Sequence, residues 1–488
     1  MMNQKRRNNI IELCVFWLLL IFLGTRCYDA VRYKDTGSGG GMDNFYATKV
    51  PVDVIAYGSS HAGCTIDNRI LWEEYGIASY TLSAGGQSID GTYFFMLESF
   101  RNNKPKVALV DTYTFSGGAA GLDSIYRTSL TGKWSLPYVK YVFEQNDIHH
   151  FDRETLEEIL LRVPVVHDRY REIEKRDFYN DTWYYRGYRG SRDRGEAPEP
   201  VITDERKPLP ETGALYLQKM IDLCKKEGVE LVLFHAPYSA TAEEIAYQNT
   251  IREITEEQGF TYLGMNHDYQ KIGIDFKTDM RESSHLNDKG AAKVTRYLGE
   301  LLRDTYGLTG HHGEPGYETW DLHARFLEDK EDGYRLRDAY ELNPYLETLA
   351  GMKERYTIVL TMEGNYRALG DDAYTSQLEL LGIDRNAYET GGVFVIRNGE
   401  IVYYSGGAKE LQFATVLSER IDLAIYGEQD KIHVFLDGRE ALPREEQLNG
   451  MTFLVYDEKC MYEVDKGYVN LYESLEIRRV TEEGDGIL

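Results

Sequence analysis

A serine, a histidine and a carboxylate, which together can carry out nucleophilic acyl transfer, occur in two stretches far apart in the chain. The first stretch, Val52 to Cys64, contains Ser60, and the second, Arg281 to Asn287, contains Glu282 and His285. A serine hydroxyl becomes a nucleophile when an imidazole takes its proton and a carboxylate holds the imidazole in the required tautomer. The two stretches therefore predict Ser60 as nucleophile, His285 as base and Glu282 as orienting acid.

The residues around Ser60 predict the element that positions it. A short apolar, β-branched run from Val52 to Tyr57 is typical of a buried strand, and Gly58 ends it in a tight turn. Ligands of open α/β sheets bind at the C-terminal ends of strands, where this turn presents its hydroxyl groups. Because a strand followed by glycine and serine also describes many ordinary turns, the second stretch is what favours catalysis.

The second stretch precedes an amphipathic helix. Asn287 is a suitable N-cap for that helix, so the cap would fix the loop that carries Glu282 and His285. Asp279 is the alternative acid if Glu282 points to solvent. Between the two stretches, strands predicted at 79–83, 107–110, 230–234 and 260–264 alternate with helices. This alternation predicts a parallel sheet with helices on both faces.

The two motifs resemble those of a known superfamily. GSSHA, followed by E-x-x-HLN and Gly-Ala, resembles the SGNH (GDSL-like) hydrolases, and is most similar to membrane-anchored members that act on bacterial cell-surface polymers. SAGGQSIDGTYFFMLESF and KPKVALVDTY extend the resemblance over about Val50 to Gly307. It implies an α/β, flavodoxin-like, three-layer fold. It also implies a serine esterase or O-acyltransferase acting on acylated cell-surface or exopolysaccharide glycans, without a metal or an organic cofactor.

The oxyanion hole departs from the superfamily pattern. Gly85 and Gly86 occupy the second block, where backbone N–H groups approach the oxyanion, although a plain strand-to-helix turn explains them equally well. The asparagine of the third block is missing between Asp111 and Tyr113. Thr112 is the expected substitute donor, whereas a carboxylate at 111 would repel an oxyanion. Losing one donor costs about 10²–10³ in rate, so the sequence implies either a differently built hole or a weaker enzyme.

Three further residues are substrate-binding candidates. His61 follows the nucleophile and matches the cell-surface subgroup, either as a substrate contact or as a residue that stabilises the turn. Tyr113 and His235 lie at predicted C-terminal strand ends, although a structural histidine is the favoured interpretation of His235. The adjacent pairs His149-His150 and His311-His312 do not predict a metal site, because neighbouring side chains point in different directions.

A long insertion interrupts the alternation between 116 and 210. It is rich in tyrosine, tryptophan and arginine, most densely in FYNDTWYYRGYRG at 178–190. Such side chains suit a sugar ring or an anionic glycan, but a lid that packs its own small core is the favoured interpretation. The α/β domain as a whole is predicted at 51–310.

The N-terminus predicts a membrane anchor. Lys5, Arg6 and Arg7 precede an apolar run at about 10–24, which assigns residues 1–26 to a cytoplasmic basic tail and a transmembrane signal anchor. A cleaved signal peptide is the alternative. Residues 27–50, including TGSGGG, then form a flexible linker, and the large domain lies outside the cytoplasm of a cell we expect to be bacterial.

Composition limits the partners. The chain has 80 acidic and 55 basic residues and a formal net charge of −25, which argues against nucleic-acid binding. Its five cysteines are scattered and indicate no disulfide framework. The expected partners are therefore an acylated glycan or another cell-surface polymer, the membrane through the N-terminal helix, and polysaccharide-assembly proteins.

The C-terminal third changes character. A charged stretch at 311–346 is predicted to be a linker, and 347–480 a separate β-rich domain. The turn Asn398-Gly399 between two apolar runs is a strong hairpin signal. The order of segments resembles the interleukin-like EMT inducer (ILEI) domain, which implies binding more than catalysis. This module and the missing asparagine motivate the rival interpretation: a non-catalytic glycan-binding or polysaccharide-assembly protein on a degenerate hydrolase scaffold.

Overall fold

The chain divides into two compact units, Met1–Asp321 and Leu322–Leu488. The computed structural model describes residues 4–32, 42–117, 121–131, 133–171, 173, 178, 183–364, 366, 374–406, 411–418, 421–428, 431–442 and 449–479. The TGSGGG segment of the expected linker lies outside these described residues.

The first unit alternates strands with helices and contains one long helical insertion. Its elements are α1 (Gln4–Val31), α2 (Met42–Ala47), β1 (Val54–Gly58), α3 (Ser60–Thr65), α4 (Asn68–Tyr75), β2 (Ser79–Ser83), α5 (Ile89–Asn102), β3 (Val107–Asp111), a 3-10 helix (Tyr113–Ser116), α6 (Leu122–Thr131), α7 (Leu136–His149), α8 (Arg153–Leu161), α9 (Val163–Val166), a second 3-10 helix (His167–Arg171), α10 (Glu211–Glu227), β4 (Glu230–His235), α11 (Ala242–Glu257), β5 (Thr261–Gly264), α12 (Tyr269–Ile272), β6 (Met280–Glu282), β7 (His285–Leu286) and α13 (Asp288–Tyr306).

Strands β1 to β5 form one parallel sheet in the order β2-β1-β3-β4-β5. This is the strand order of flavodoxin-like doubly wound folds, in which ligands bind beside the C-terminal strand ends where the order reverses. The order reverses between β1 and β3, so the turn after β1 lies at that position. The predicted α/β class is confirmed.

The sheet is buried on both faces. Val54 and Ala56 of β1 pack in one apolar cluster with Leu298 of α13. Tyr57 points to the opposite face, because successive side chains of a strand alternate, and its hydroxyl lies 2.7 Å from the Ser99 hydroxyl of α5. Helices therefore cover both faces of the sheet, and the packing fixes the positions of the strand ends.

The insertion is mainly helical up to residue 171. Helices α6 to α9 include buried side chains such as Tyr138, Tyr141 and Ile159. The Tyr141 ring stacks on Phe94 of α5, with ring centroids 5.1 Å apart. The insertion therefore packs against the α/β layer as well as on itself, which a lid with its own small core would not require.

Helix α1 is long and apolar enough to cross a membrane. The candidate span is Ile11–Val31, 21 residues, and none of its most apolar window is buried inside the protein. At 1.5 Å per residue this is about 31 Å, close to the thickness of a bilayer's hydrocarbon core. The helix continues beyond residue 26, so residues 27–31 belong to α1 and not to the expected flexible linker.

The second unit is rich in β-structure. Helix α14 (Glu318–Asp338) contains the division between the units, and the remaining elements are α15 (Leu342–Met352), β8 (Thr357–Glu363), α16 (Thr375–Leu380), α17 (Arg385–Thr390), β9 (Gly392–Arg397), β10 (Glu400–Ser405), β11 (Gln412–Val416), β12 (Asp422–Glu428), β13 (Lys431–Leu436), β14 (Arg439–Glu440), β15 (Gly450–Asp457) and β16 (Tyr462–Asn470).

These strands form two antiparallel sheets, ordered β10-β9-β8-β15-β16 and β11-β12-β13-β14. Phe453 of β15 packs on the side of helices α15 to α17, whereas its neighbour Leu454 packs with Leu423 and Val434 of the smaller sheet. The five-stranded sheet is therefore the middle layer of the unit. A separate β-rich region, as predicted, follows the α/β unit.

The predicted hairpin at Asn398-Gly399 is confirmed, whereas the predicted linker at 311–346 is largely helical. Asn398 and Gly399 have φ of 51° and 79°, and they join β9 to β10 as predicted. The stretch 311–346 instead contains the 21-residue helix α14. Leu336 and Tyr345, from α14 and α15, are buried in the core of the second unit, so this part of the chain packs as structure and not as a free linker.

Candidate active site

The turn after β1 presents Ser60 at the C-terminal edge of the sheet. Ser59 caps α3, its side chain accepting from the backbone N–H of His61 at 3.4 Å, and Ser60 is the first residue of that helix. Gly58 has a φ of +151°, and a Cβ there would lie 2.9 Å from the Asp111 Cβ. Only glycine fits this turn without displacing β3, so Gly58 fixes the direction in which Ser60 leaves the strand.

A short hairpin carries the other two side chains. β6 and β7 pair so that Glu282 lies opposite His285. Asn287 caps α13, as predicted, by accepting from Lys289 N at 3.0 Å and Gly290 N at 3.3 Å. Its amide donates to the Met280 carbonyl oxygen at 2.9 Å, so the same side chain also ties down the start of the hairpin.

The two stretches meet in a continuous chain of hydrogen bonds. His285 Nε2 lies 2.8 Å from Ser60 Oγ, and His285 Nδ1 contacts Glu282 Oε1. The Ser284 hydroxyl donates to the same Glu282 oxygen at 2.7 Å. The side chain of His285 is 21% exposed and that of Glu282 46% exposed, so the arrangement opens to solvent. Its geometry is that of a serine–histidine–carboxylate triad.

Asp279, the alternative acid, is directed elsewhere. It is buried, and its carboxylate pairs with Lys293 Nζ at 2.5 Å and accepts from the Asp275 backbone N–H at 2.8 Å. Both contacts hold the loop before the hairpin. Asp279 therefore supports the local fold, and Glu282 is the carboxylate that reaches His285.

His61 is buried beside the triad. Its ring stacks on Tyr113 at 3.5 Å between centroids, packs edge-on against Tyr238 at 5.2 Å, and lies 4.8 Å from the His285 ring. Burial, followed by the charges of His285 and His235, lowers the pKa of His61 well below its ordinary value. His61 is thus a neutral packing partner of His285, which suits the stabilising role better than a direct substrate contact.

His235 and Tyr113 differ in access. His235 is buried, its Nδ1 accepts from the Asn266 side-chain amide at 3.0 Å, and burial lowers its pKa to about 3. That is the structural histidine favoured from the sequence. Tyr113 is only partly buried and can still contact a ligand.

Tyr238 belongs to the site but was not predicted from the sequence. Its ring packs edge-on against Tyr113, His61 and His235. Its position shortly after β4, at a C-terminal strand end, was the signal that could have identified it.

The oxyanion candidates divide into backbone and side-chain donors. Gly85 and Gly86 follow β2, the neighbour of β1 whose Ser83 pairs with Gly58, so they lie at the same sheet edge as Ser60. Thr112 does not serve as the expected donor. It is fully buried, and its one hydroxyl proton is engaged by the Phe234 carbonyl oxygen at 3.1 Å and Gln248 Oε1 at 2.6 Å.

The side chain of Asp111 is also inaccessible to solvent. It is buried, and burial raises its pKa to about 7, while the backbone N–H groups of Tyr113, Ala236 and Thr112 act in the opposite direction. The carboxyl group is therefore protonated over much of the acidic range. The sequence suggested a carboxylate that would repel an oxyanion, but Asp111 is buried and its ionisation is suppressed below about pH 7.

The insertion contributes a strap segment, residues 183–195, that joins both halves of the site. The Arg189 backbone N–H donates to the Gly63 carbonyl oxygen at 2.8 Å, and its guanidinium donates to the Ser83 hydroxyl at 2.9 Å. Further along, the Gly195 N–H donates to the Met280 carbonyl oxygen at 2.9 Å. The strap therefore holds α3 and the hairpin in register, a role that the aromatic composition alone did not indicate.

Among the described residues, one group has the spacing of metal ligands, and it lies in the second unit. Asp329, Asp457 and Cys460 each offer a ligand atom within 4.8 Å of the others. Arg325 Nε lies 2.6 Å from Asp457 Oδ2, and Arg355 Nη2 lies 2.7 Å from Asp329 Oδ1. Two guanidinium groups already neutralise the two carboxylates, so the cluster is explained as a buried ion-pair network.

Comparison with known proteins assigns no family. The chain matches no protein-family model and no curated protein. The arrangement of Ser60, His285 and Glu282 is therefore the main indication of its function.

Proposed function

We propose that this protein is a membrane-tethered serine esterase or O-acyltransferase of the SGNH type, acting on acylated cell-surface or exopolysaccharide glycans. One observation carries the proposal: the unbroken hydrogen-bond chain from Ser60 through His285 to Glu282, at the C-terminal edge of a flavodoxin-like sheet. A hydroxyl held 2.8 Å from an imidazole nitrogen can be deprotonated as it attacks.

The reaction would follow from this geometry. Ser60 Oγ attacks the acyl carbonyl carbon while its proton passes to His285 Nε2, and Glu282 stabilises the resulting imidazolium. The ester C–O bond then breaks, and the departing sugar hydroxyl takes the proton from Nε2. Water gives hydrolysis and a second sugar hydroxyl gives acyl transfer, since either can lose a proton to His285 Nε2 as its oxygen attacks the acyl carbonyl carbon. The bond between that carbon and Ser60 Oγ then breaks, and Ser60 Oγ takes the proton back from Nε2, which restores the free enzyme.

The substrate class is inferred from location and resemblance. Helix α1 is long and apolar enough to cross a membrane, and the basic residues before it favour a cytoplasmic N-terminus. Ser60 would then lie outside, where acylated polymers are exposed. We further propose that the second unit, with its ILEI-like order of segments, binds polymer and contributes no catalytic side chain.

A second candidate function is favoured by one specific observation. The Thr112 hydroxyl donates to the Phe234 carbonyl oxygen and Gln248 Oε1, so Thr112 does not replace the third-block donor. A missing oxyanion donor costs about 10²–10³ in rate. The alternative is therefore a non-catalytic glycan-binding or polysaccharide-assembly protein on a degenerate hydrolase scaffold.

Hydrolysis of p-nitrophenyl acetate by the full-length protein in detergent distinguishes the two functions. We expect turnover that falls at least about 10³-fold in Ser60→Ala, because the nucleophile is lost. Ser59→Ala is the matched control, since it removes a neighbouring hydroxyl that caps α3, and we expect it to keep turnover within about tenfold. Equal hydrolysis by the wild-type protein and Ser60→Ala would favour the non-catalytic candidate.

A further inference from the structure

The helical insertion holds the end of the membrane helix. Arg169 Nη1 donates to the carbonyl oxygens of Val31 at 2.9 Å and Arg32 at 2.8 Å. The Tyr28 ring lies 4.9 Å from the Trp134 ring, centroid to centroid. The last carbonyl groups of a helix lack partners within the helix, so Arg169 satisfies groups that otherwise need water. The far end of α1 is thus attached to the insertion.

The chain beyond α1 is attached as well. The Arg32 guanidinium forms an ion pair with Asp43 of α2. The described segments on both sides of residues 33–41 are therefore attached to the same unit. A freely swinging domain, as the linker composition suggested, does not fit these contacts.

The part of the insertion that meets α1 exposes large apolar side chains. We call this surface the apolar platform; it consists of Trp134, Leu136, Leu161, Val163 and Tyr170, each about half exposed or more. Trp134 joins the segment before α7 to the end of α8: its Nε1 donates to the Leu160 carbonyl oxygen at 3.1 Å, and the Arg162 guanidinium lies over its ring at 5.7 Å. Exposed apolar patches on soluble domains mark membrane or protein contacts.

The length of α1 sets the level at which the platform lies. Residues 11–27 make up the helix between the start of the candidate span and Tyr28. At 1.5 Å per residue they extend about 26 Å, close to the hydrocarbon thickness of a bilayer. Tyr28 and Trp134 then lie at the headgroup level, where tyrosine and tryptophan side chains are enriched.

We infer that the apolar platform rests on the surface of the same bilayer that α1 crosses. Trp134 of the platform lies against Tyr28, and Arg169, the neighbour of Tyr170, contacts the end of α1, so a membrane that contains α1 brings its lipids to this surface. The unit would then be seated on the membrane at a fixed height, with one helix through the bilayer and one face on it. This inference does not depend on the chemistry at Ser60.

Depth-dependent fluorescence quenching tests the inference on the full-length chain. Cys14 and Cys27 are replaced by serine, the buried cysteines are kept, and Leu136→Cys is labelled with a nitrobenzoxadiazole dye. The protein is reconstituted into vesicles of phosphatidylcholine and phosphatidylglycerol with or without headgroup-nitroxide lipid. Val201→Cys is the matched control, because Val201 is 58% exposed in the same unit and Leu136 is 65% exposed. Tyr170→Cys provides a second platform position.

We expect nitroxide lipid to quench the dye at 136 and 170 at least about twofold more than the dye at 201. Equal quenching at all three positions would overturn the inference. Protection of the platform dye from aqueous iodide without lipid quenching would also overturn it, because a second copy of the chain would then cover the surface. Failure of the protein to remain with the vesicles would remove its premise, that α1 crosses the bilayer, and would overturn it too.

Discussion

The Ser60 site and the cluster of Asp329, Asp457 and Cys460 use similar residue types in opposite ways. Both bring carboxylates close to a side chain that can act as a nucleophile. In the cluster each carboxylate faces a guanidinium group, Asp329 and Asp457 are fully buried, and burial raises the pKa of Cys460. At the Ser60 site a single carboxylate faces an imidazole, which in turn faces a partly exposed hydroxyl.

Exposure and charge pairing distinguish a group that can react from one that stabilises the fold. A hydrogen-bond chain that begins at a carboxylate and ends on a partly exposed hydroxyl can move a proton and a nucleophile toward a ligand. A network whose charges are paired and buried holds elements together, and its thiol stays protonated because burial disfavours the thiolate. Composition alone would treat the two groups alike.

Removing His285, the proposed base, should give the largest effect. We expect His285→Ala to lower p-nitrophenyl acetate hydrolysis by at least about 10³-fold, because Ser60 then lacks a proton acceptor. The double variant Ser60→Ala, His285→Ala should lose little more than either single variant, since the two side chains act as a unit. If steady-state kinetics showed that the loss in the double variant equals the product of the two single losses, Ser60 and His285 would act independently. The site would then lack the concerted hydrogen-bond chain that distinguishes it from the buried cluster.

Neutralising Glu282, the proposed orienting acid, should have a smaller effect. We expect Glu282→Gln to reduce turnover by about 10²–10³-fold, because a neutral amide stabilises an imidazolium less well than a carboxylate. Ser283→Ala, in the same exposed loop, is the control and should keep turnover within about twofold. Steady-state kinetics of both variants provide the measurement, and wild-type turnover in Glu282→Gln would remove Glu282 from the site.

Breaking the buried network should affect stability and not chemistry. Arg325→Met leaves the buried carboxylate of Asp457 unpaired, which typically costs about 3–5 kcal/mol. Arg385→Met removes an exposed guanidinium 3.5 Å from Glu389 and should cost under about 1 kcal/mol. Amide hydrogen exchange in β15 should therefore be at least about 10²-fold faster only in Arg325→Met. Similar exchange in both variants would refute the structural role of the network.

Asp111 is another buried carboxylate, and it differs from the cluster in its partners. Backbone N–H groups lie near Asp111, whereas guanidinium groups pair with Asp329 and Asp457. The pKa of Asp111 is raised from 3.8 to about 7, so stability should fall as the pH rises from about 4 to about 7. Asp111→Asn cannot ionise and should gain about 2–4 kcal/mol relative to the wild-type protein on going from pH 4 to pH 8. Thermal unfolding at both pH values measures this, and parallel pH dependence of the two proteins would contradict it.

Local sequence signals predicted the elements that depend on local chemistry. The apolar run before Gly58, the cap at Asn287 and the turn at Asn398-Gly399 each lie where expected. Each depends on a few neighbouring residues whose backbone preferences agree with the fold. The proximity of Ser60 to His285 was expected from the serine motif and the E-x-x-H motif at the two ends of one α/β domain, although His285 lies on the antiparallel hairpin β6-β7 and not on a strand of the parallel sheet.

Features that depend on distant packing were not predictable in this way. The burial of His61 comes from Tyr113 and Tyr238, which belong to separate segments of the chain. The Thr112 hydroxyl donates to Gln248 of α11, which is more than a hundred residues away in the chain. The sequence of helix α14 was interpreted as a linker because charged residues are interspersed among its buried side chains, which include Trp320, Phe326 and Leu336. In each case the deciding contact is non-local.

Covalent labelling tests the central claim most directly. The full-length protein is treated with a fluorophosphonate, which phosphonylates an activated serine, and the modified residue is located by peptide mass spectrometry. We predict one adduct at Ser60, lost in His285→Ala and retained in Ser283→Ala, because only a hydroxyl that can transfer its proton to His285 is activated. An unlabelled Ser60 in folded protein, or labelling that persists in His285→Ala, would contradict the account.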